Sequence, residues 1–314
     1  MKLSELLPAN DLLGDDRALA ARFDQEGCLL VRGAFHPPTL ADVVDQATSA
    51  LERYGLAQRR DGIRWTGAVV PHLDKTGIND IPVLKDLLNQ IEDGSDFFRP
   101  VADRICGHPM HIWRALHIFA AVPDDPSHVT PPHQDNFEVT ATGDYRRLWI
   151  ALTEIPFGDG GLGLALGSHR HGQLPHQQLP EFTDRAAPGQ ENPLPPANGI
   201  NPLLVGDRWY TASMQPGDLI TFHPKVVHRG LRATSDRIRL ALTVIASAIS
   251  DPLPHTMYTD SDNRARRDRV RELAASLGLS EVEQFAVAAD LARIGMPIDE
   301  HTVRAAARGD YAHR

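Results

Sequence analysis

The sequence has only two cysteines and lacks any long apolar stretch. Cys28 and Cys106 lie far apart, each among apolar residues, which favours buried free thiols over a disulfide. The N-terminus has no apolar run typical of a signal peptide, and no segment approaches the length of a membrane span. We therefore expect a soluble, cytoplasmic protein.

An excess of basic residues is also lacking. The 314 residues carry a formal net charge of −9, and Lys and Arg are dispersed along the chain. This argues against nucleic acid or an anionic membrane as partner and favours a neutral or cationic small-molecule substrate. The length allows one large domain or two modest ones.

Short apolar runs, separated by glycine and proline, dominate the chain up to about residue 250. Strands are predicted at 28–31, 111–122, 147–153, 162–166, 209–213, 218–222 and 239–248. Many short strands of this kind predict a mainly β protein, an antiparallel jelly roll with flanking helices. Helices are predicted for a lead-in over 1–22, from Pro37 onward, and over 83–106.

The domain organisation follows from changes in composition along the chain. Residues 1–250 are predicted to form the jelly-roll domain, with the Pro-, Gln- and Asn-rich stretch 175–208 as a lid or insertion. Residues 251–314 read as a helical extension packed on the same domain. It has one charged helix over 264–277 and a second from the capping box at Ser280 to about Ile294.

The segment from Pro131 to Phe137, PPHQDNF, suggests a metal site. Residues i and i+2 of an extended segment point to the same side, so His133 and Asp135 can offer an imidazole nitrogen and a carboxylate oxygen to one metal. A facial triad needs a second histidine and leaves open positions. The best candidate is His228, which follows a strand-like run. A histidine two residues from an aspartate is common by chance, so the surrounding residues must decide.

Four blocks in a fixed order resemble the phytanoyl-CoA dioxygenase family of iron(II)- and 2-oxoglutarate-dependent oxygenases. The blocks are 23–35, 133–135, 148–152 with 160–169, and 215–242. The resemblance covers most of the chain and implies a double-stranded β-helix, a jelly roll related to cupins. Two departures are Leu166, where the family commonly has proline, and Arg229-Gly230 after the distal histidine. Neither changes a ligand position.

The resemblance implies roles for particular residues. His133, Asp135 and His228 would hold iron(II), and Arg239 would bind the far carboxylate of 2-oxoglutarate, with dioxygen as the other cosubstrate. A planar guanidinium suits a carboxylate because it can donate to both oxygens. Arg237 competes with Arg239, since strand alternation puts both on one face; the spacing to His228 favours Arg239.

Further candidates lie around these ligands. Trp149 matches an aromatic position that lines the family's active site; it faces away from Leu148, Ile150 and Leu152. Arg114 matches a polar residue that touches 2-oxoglutarate. The residues just past the ligands could contact substrate; they are Asn136, Phe137 and Glu138. His223 has the opposite strand parity to His228 and is interpreted as a structural histidine.

The predicted function is hydroxylation of an unactivated C–H bond in a small polar molecule, either an intermediate of specialised metabolism or an amino-acid derivative. The carboxylate at Asp135 argues against the related halogenases, which have a small residue there. Desaturation, cyclisation or epimerisation could use the same triad. Alternatives from other classes are a non-catalytic jelly-roll binding protein and a cupin-type isomerase or hydrolase that would not need Arg239. A monomer or homodimer is expected.

Overall fold

The computed structural model describes residues 1–68, 97–123, 130–135, 145–179, 198–248, 260–280, 284, 287 and 298–307. Strands within these ranges are β1 (Lys2–Glu5), β2 (Cys28–Val31), β3 (Ala57–Arg59), β4 (Ile63–Trp65), β5 (Met110–Ala121), β6 (Tyr145–Ala151), β7 (Leu162–Leu164), β8 (Gln177–Gln178), β9 (Asn198–Gly199), β10 (Arg208–Thr211), β11 (Leu219–Phe222), β12 (His228–Gly230) and β13 (Arg239–Ala248). The helices are α1 (Asp16–Glu26), α2 (Pro37–Arg53), α3 (Arg99–Cys106), α4 (Asp260–Ser276) and α5 (Glu300–Ala307).

Two larger sheets build the centre of the fold. One has the order β2-β11-β6-β13-β5, and all of its neighbouring strands are antiparallel. The other has the order β1-β10-β7-β12, in which only the β1–β10 pair is parallel among the pairings described. Neighbours in each sheet are distant in sequence, as expected for the predicted jelly roll.

The inner faces of the two sheets form one apolar cluster. It joins Leu30, Trp149 and Ile220 of the five-stranded sheet to Leu162 and Leu164 of the other sheet. Because side chains alternate along a strand, the intervening residues point the other way. The interior between the sheets is therefore lined by alternate residues of each strand.

The outer face of the five-stranded sheet is covered by α1, α2 and α3. Leu148, Ile150 and Leu242 pack there in a second apolar cluster together with residues of the three helices. A sheet covered on both faces needs apolar residues on both. This explains why all residues of β13 are buried, and why most of them are apolar.

The predicted lead-in helix over 1–22 is wrong for its first part. Lys2–Glu5 is a strand that pairs in parallel with β10, with Leu3 opposite Trp209. The spacing of Leu3, Leu6 and Leu7 fits a helix, but Pro8 follows at once, and so short a helix is unstable alone. Pairing with a distant strand edge is the better alternative. The helix begins only at Asp16, where the Asp15 side chain accepts a hydrogen bond from Ala18 N at 3.0 Å.

The described C-terminal helices pack against one another. Their apolar cluster includes Val270 and Ala274 of α4 and Val303 and Ala306 of α5. Helix α4 matches the predicted 264–277 helix, whereas α5 was not predicted. The second predicted helix, 280–294, and the first part of the 83–106 helix lie largely outside the described residues.

In the part of the chain that the structure describes, every helix is too short or too polar to span a membrane. Both cysteines are free, and burial raises the pKa of the Cys28 thiol.

A buried carboxylate, Asp218, ties the turn before β11 to the end of β2. It accepts hydrogen bonds from Arg32 Nη1 (2.8 Å), Gly33 N (2.8 Å) and Gln215 N (2.9 Å). The intervening Gly217 has φ +91°, and a Cβ there would lie 2.1 Å from Phe35 O, so only glycine fits this turn. The turn is thus fixed by one acceptor and one glycine.

Replacing Asp218 by alanine should lower the free energy of unfolding by about 2–4 kcal/mol, because it leaves these donors without their acceptor. Asp236→Ala is the matched control, since Asp236 is exposed in its ion pair with Arg64 and should cost less than about 1 kcal/mol. Urea unfolding of both variants measures the difference. Equal losses would contradict the structural role given to Asp218.

Candidate active site

The two predicted histidine ligands are held together by the backbone. His133 N donates to His228 O at 2.9 Å, and His228 N donates to His133 O at 3.0 Å. This is a hydrogen-bonded antiparallel pair, which puts both side chains on the same side. The imidazole centroids are 4.1 Å apart. Since His228 also pairs with Leu164 of β7, the site is built on the edge of the four-stranded sheet.

Each imidazole is oriented by a backbone carbonyl two residues before it. His133 Nδ1 lies 2.8 Å from Pro131 O, and His228 Nδ1 lies 3.0 Å from Val226 O. A carbonyl can only accept, so Nδ1 carries the proton in each neutral ring. The lone pair of each Nε2 is therefore available to a metal, and outer hydrogen bonds of this kind are typical of histidine ligands.

Asp135 completes the group. Its Oδ1 lies 3.6 Å from His133 Nε2 and 3.6 Å from His228 Nε2. The ligand atoms of the three residues all lie within 4.8 Å of one another. Two imidazoles with fixed tautomers and one carboxylate, converging from a sheet edge, fit the donor set of a non-haem iron(II) site. The group could therefore hold a metal without rearrangement of the backbone.

The charges of the site follow from its burial and its neighbours. Burial by itself raises the pKa of Asp135, but Arg147, His228 and His133 outweigh it and hold this pKa well below its usual value. Burial and the nearby His133 lower the pKa of His228 to about 3. At neutral pH, Asp135 is thus ionised and His228 is neutral, which are the forms that bind a metal.

Arg239 lies on the interior face of β13. Ala241, two residues on, packs in the cluster between the sheets, whereas Leu240 and Leu242 face the helices. Arg239 is 2% exposed, and its Nη2 donates to Asp159 Oδ2 at 2.7 Å and to Ser235 Oγ. Its Nε is buried and has no hydrogen-bond partner among the described residues. An orphaned donor on a buried guanidinium fits a missing carboxylate ligand.

The competing arginine, Arg237, lies at the surface. Its Nη2 donates to Asp61 Oδ2 at 3.0 Å, in the turn of the β3–β4 hairpin. Alternation could not separate the two arginines, but packing does, because the hairpin recruits Arg237 and leaves Arg239 inside. This supports Arg239 as the residue that binds the cosubstrate.

Asp159 was not singled out from the sequence. Its Oδ1 accepts from Thr234 N at 2.6 Å and from Ser235 N at 3.4 Å. Burial raises the pKa of Asp159, but these hydrogen bonds and the charge of Arg239 outweigh it and lower the pKa. In the sequence, only the glycine after Asp159 points to a tight turn at this place. In the structure, Gly160 has φ +74°, and a Cβ on it would lie 3.0 Å from Arg239 Cγ, so the turn packs closely against the arginine.

The other predicted residues have different outcomes. Trp149 is 8% exposed and packs between the sheets, while Leu148 and Ile150 face the helices, as the alternation predicted. Arg114 lies on β5 where only the backbone is described. The three substrate candidates lie outside the described residues; they are Asn136, Phe137 and Glu138. The roles of Trp149, Arg114 and these three residues stay predictions.

Gln134 was missed because it lies between the two ligands and has no metal-binding group of its own. Its amide Nε2 donates to Gly172 O (2.9 Å) and Lys225 O (2.6 Å), and its Oε1 accepts from Leu174 N (2.8 Å). This buried amide fixes the loop that carries His133 and Asp135.

His223 was interpreted from the sequence as a structural histidine. In the structure, its Nδ1 accepts a hydrogen bond from Lys225 N at 3.0 Å.

Arg147 was only a weak candidate from the sequence. Its Nε donates to Asp135 Oδ2 at 2.8 Å from the opposite sheet. Strand alternation provides a weak signal, since Arg147 has the same parity as Trp149 and would face the interior with it.

Comparison with known proteins places this site in context. The family model described as Phytanoyl-CoA dioxygenase (PhyH) matches residues 23–241. Two curated relatives are each named 1-deoxypentalenic acid 11-beta-hydroxylase. The protein from Streptomyces exfoliatus is 26% identical over 239 residues, covering 73% of this chain and 79% of the relative. The protein from Streptomyces arenae is 27% identical over 234 residues, covering 73% and 78%.

Solved structures share the fold. The non-heme alpha ketoglutarate dependent carbocyclase SnoK from nogalamycin biosynthesis has a TM-score of 0.51 at 16% identity, covering 79% of this chain and 90% of its own. The epimerase SnoN from the same biosynthesis has a TM-score of 0.50 at 19% identity, covering 80% and 89%. At these identities the likeness concerns the fold, and it confirms the jelly roll.

Proposed function

The chain belongs to the phytanoyl-CoA dioxygenase family, and we propose that it hydroxylates an unactivated C–H bond of a small molecule of specialised metabolism. The predicted family, the enzyme class of iron- and 2-oxoglutarate-dependent dioxygenases and the cofactors are confirmed by this membership. The observation that carries the proposal is the convergence of His133 Nε2, Asp135 Oδ1 and His228 Nε2 within 4.8 Å.

The metal would be held by these three side chains. Iron(II), with 2-oxoglutarate and dioxygen, supplies oxidation of a C–H bond to C–OH while 2-oxoglutarate becomes succinate and carbon dioxide. The protein contributes imidazoles with fixed tautomers, because Pro131 O and Val226 O hold both Nδ1 protons. These carbonyls keep both rings aimed at one point before any ligand arrives.

Arg239 is proposed to bind the far carboxylate of 2-oxoglutarate. Asp159 and Ser235 accept hydrogen bonds from Nη2, and these bonds fix the orientation of the guanidinium. Its Nε is buried and has no hydrogen-bond partner among the described residues. A charge-assisted hydrogen bond to this donor would satisfy the group that the fold leaves orphaned. The cosubstrate therefore completes the polar network of the interior.

Trp149 is proposed to line the pocket. It faces the space between the sheets from the same side of β6 as Arg147, which reaches Asp135. Apolar and aromatic walls limit water around a reactive centre and shape the space for substrate. Trp149 would thus bind substrate by contact area, not by a specific polar group.

The substrate class is inferred from the relatives and the charge. Both curated relatives are named as hydroxylases of 1-deoxypentalenic acid. The net charge of −9 with dispersed basic residues supports a small-molecule partner in preference to nucleic acid or a membrane surface. We propose a polar intermediate of specialised metabolism, turned over by a monomer or homodimer.

An oxygen-labelling experiment tests this function. The enzyme, loaded with iron(II) without air, is mixed with 2-oxoglutarate, ¹⁸O₂ and a panel of small organic acids. We expect one labelled oxygen in succinate and one in a hydroxylated product, and no succinate with His133→Ala. Succinate formation with a product that gains no oxygen would indicate epimerisation, cyclisation or desaturation. A parent enzyme that consumes no 2-oxoglutarate would favour a binding protein.

A further inference from the structure

The two oxygens of Asp135 have different surroundings. Oδ1 faces both histidines at 3.6 Å, whereas Oδ2 accepts a hydrogen bond from Arg147 Nε at 2.8 Å. The side chains of Asp135 and Arg147 are 11% and 17% exposed, so water screens this ion pair little. One oxygen is thus directed to the metal position and the other is occupied by a guanidinium.

Arg147 and Asp135 approach each other from the two sides of the interior. Arg147 belongs to β6, with Phe222 of β11 as its neighbour on one side and Ile245 of β13 on the other. Asp135 follows the His133–His228 bridge at the edge of the opposite sheet. A side chain rooted in a central strand has a backbone that cannot shift easily, and it can therefore fix a loop residue across the interior.

The choice of oxygen matters for the chemistry. A carboxylate binds a metal through one oxygen or through both. If Asp135 used both, it would take one more position, leaving one fewer for the cosubstrate and dioxygen, which a facial triad must keep open. Any contact that reserves Oδ2 therefore protects an open position.

We propose that Arg147 is a positioning residue, which holds Oδ2 of Asp135 so that Oδ1 alone binds the metal. The inference rests on the proposed function, because it assumes that the triad holds iron(II). The competing view is an ion pair that only stabilises the fold. Both views predict that Arg147→Met lowers stability. Only the positioning role predicts that it also changes metal binding.

The chain offers a matched control in the neighbouring residue. Arg146 lies on the same strand with opposite parity, and its guanidinium carbon lies 3.8 Å from the centroid of the Phe23 ring, on the helix side of the sheet. Arg146→Met removes a buried guanidinium of the same size without touching the metal ligands. Both variants should lose thermal stability, but only Arg147→Met should change how the protein binds a metal.

Titration with Co(II), whose visible absorption reports coordination number, separates the two views. We expect Arg147→Met to give a Co(II) spectrum of higher coordination number, because Asp135 can then bind through both oxygens, with an affinity that differs from the parent by about 10–100-fold, the range for lost outer-sphere contacts. Arg146→Met should match the parent in both respects. Arg147→Lys, which keeps a charged donor, should return the spectrum part of the way to that of the parent.

Several results would overturn the proposal. An Arg147→Met variant that binds Co(II) within about 3-fold of the parent with an unchanged spectrum would leave only a stabilising ion pair. If Arg147→Met does not fold, Arg147→Gln gives the same comparison, and parent-like affinity and spectrum would again overturn it. A parent that binds no Co(II) would remove the metal site itself, and with it both proposals.

Discussion

Replacing His228 by alanine should reduce 2-oxoglutarate turnover by at least about 100-fold, more than the loss of an outer-sphere contact causes. The reason is that Nε2 of His228 is one of three converging ligand atoms, and no other described residue joins the group. The backbone bridge to His133 does not depend on the side chain, so the variant should fold. Succinate formation and bound iron are measured together, with circular dichroism to check the fold.

His223→Ala is the matched control for this experiment. His223 is a histidine whose Nδ1 accepts from the backbone N–H of Lys225, and it is not part of the group of converging ligand atoms. It should keep turnover within about 10-fold of the parent, the lower limit of an outer-sphere effect. If His223→Ala abolished turnover while His228→Ala retained it, the assignment of the ligands would be wrong.

Replacing Arg239 by methionine should raise the KM for 2-oxoglutarate by roughly 100-fold. A hydrogen bond to a charged group contributes about 1.5–3 kcal/mol, and each 1.4 kcal/mol corresponds to about tenfold in affinity. The variant keeps its ability to bind iron, because Arg239 contacts none of the three ligands in the described structure. Steady-state kinetics over 2-oxoglutarate concentration give the KM, and an iron titration checks the metal site.

Arg237→Met separates the two arginines that alternation left equivalent. Arg237 lies at the surface with Asp61, so its loss should change the KM by less than about 3-fold, the size of an exposed ion pair. A larger change in KM for Arg237→Met than for Arg239→Met would assign the binding of the cosubstrate to Arg237. An unchanged KM in both variants would show that neither arginine binds the cosubstrate.

Much of the fold could be predicted because the relevant signals are local. The β13 run is mostly apolar, because helices cover one face of its sheet and a second sheet covers the other. The turn residues and the spacing of His133 and Asp135 likewise depend on neighbours in sequence. These features are fixed by the chain over a few residues, which is the range that patterns report.

The parts that could not be predicted depend on partners distant in sequence. Leu3 lies on a strand because its partner, Trp209, supplies a free edge. The choice between Arg237 and Arg239 depends on Asp61 in a separate hairpin. Arg147 reaches Asp135 across the interior. None of these pairings produces a periodic pattern in the sequence. The residues come together only when the two sheets have formed.

The most direct test of the site is a crystal grown without air in the presence of iron(II) and 2-oxoglutarate, with diffraction recorded at the iron absorption edge. We expect one anomalous peak per chain within bonding distance of His133 Nε2, His228 Nε2 and Oδ1 of Asp135, with Oδ2 still bound to Arg147 and the cosubstrate's far carboxylate on Arg239. Iron bound elsewhere, or no peak at these three side chains, would contradict the assignment.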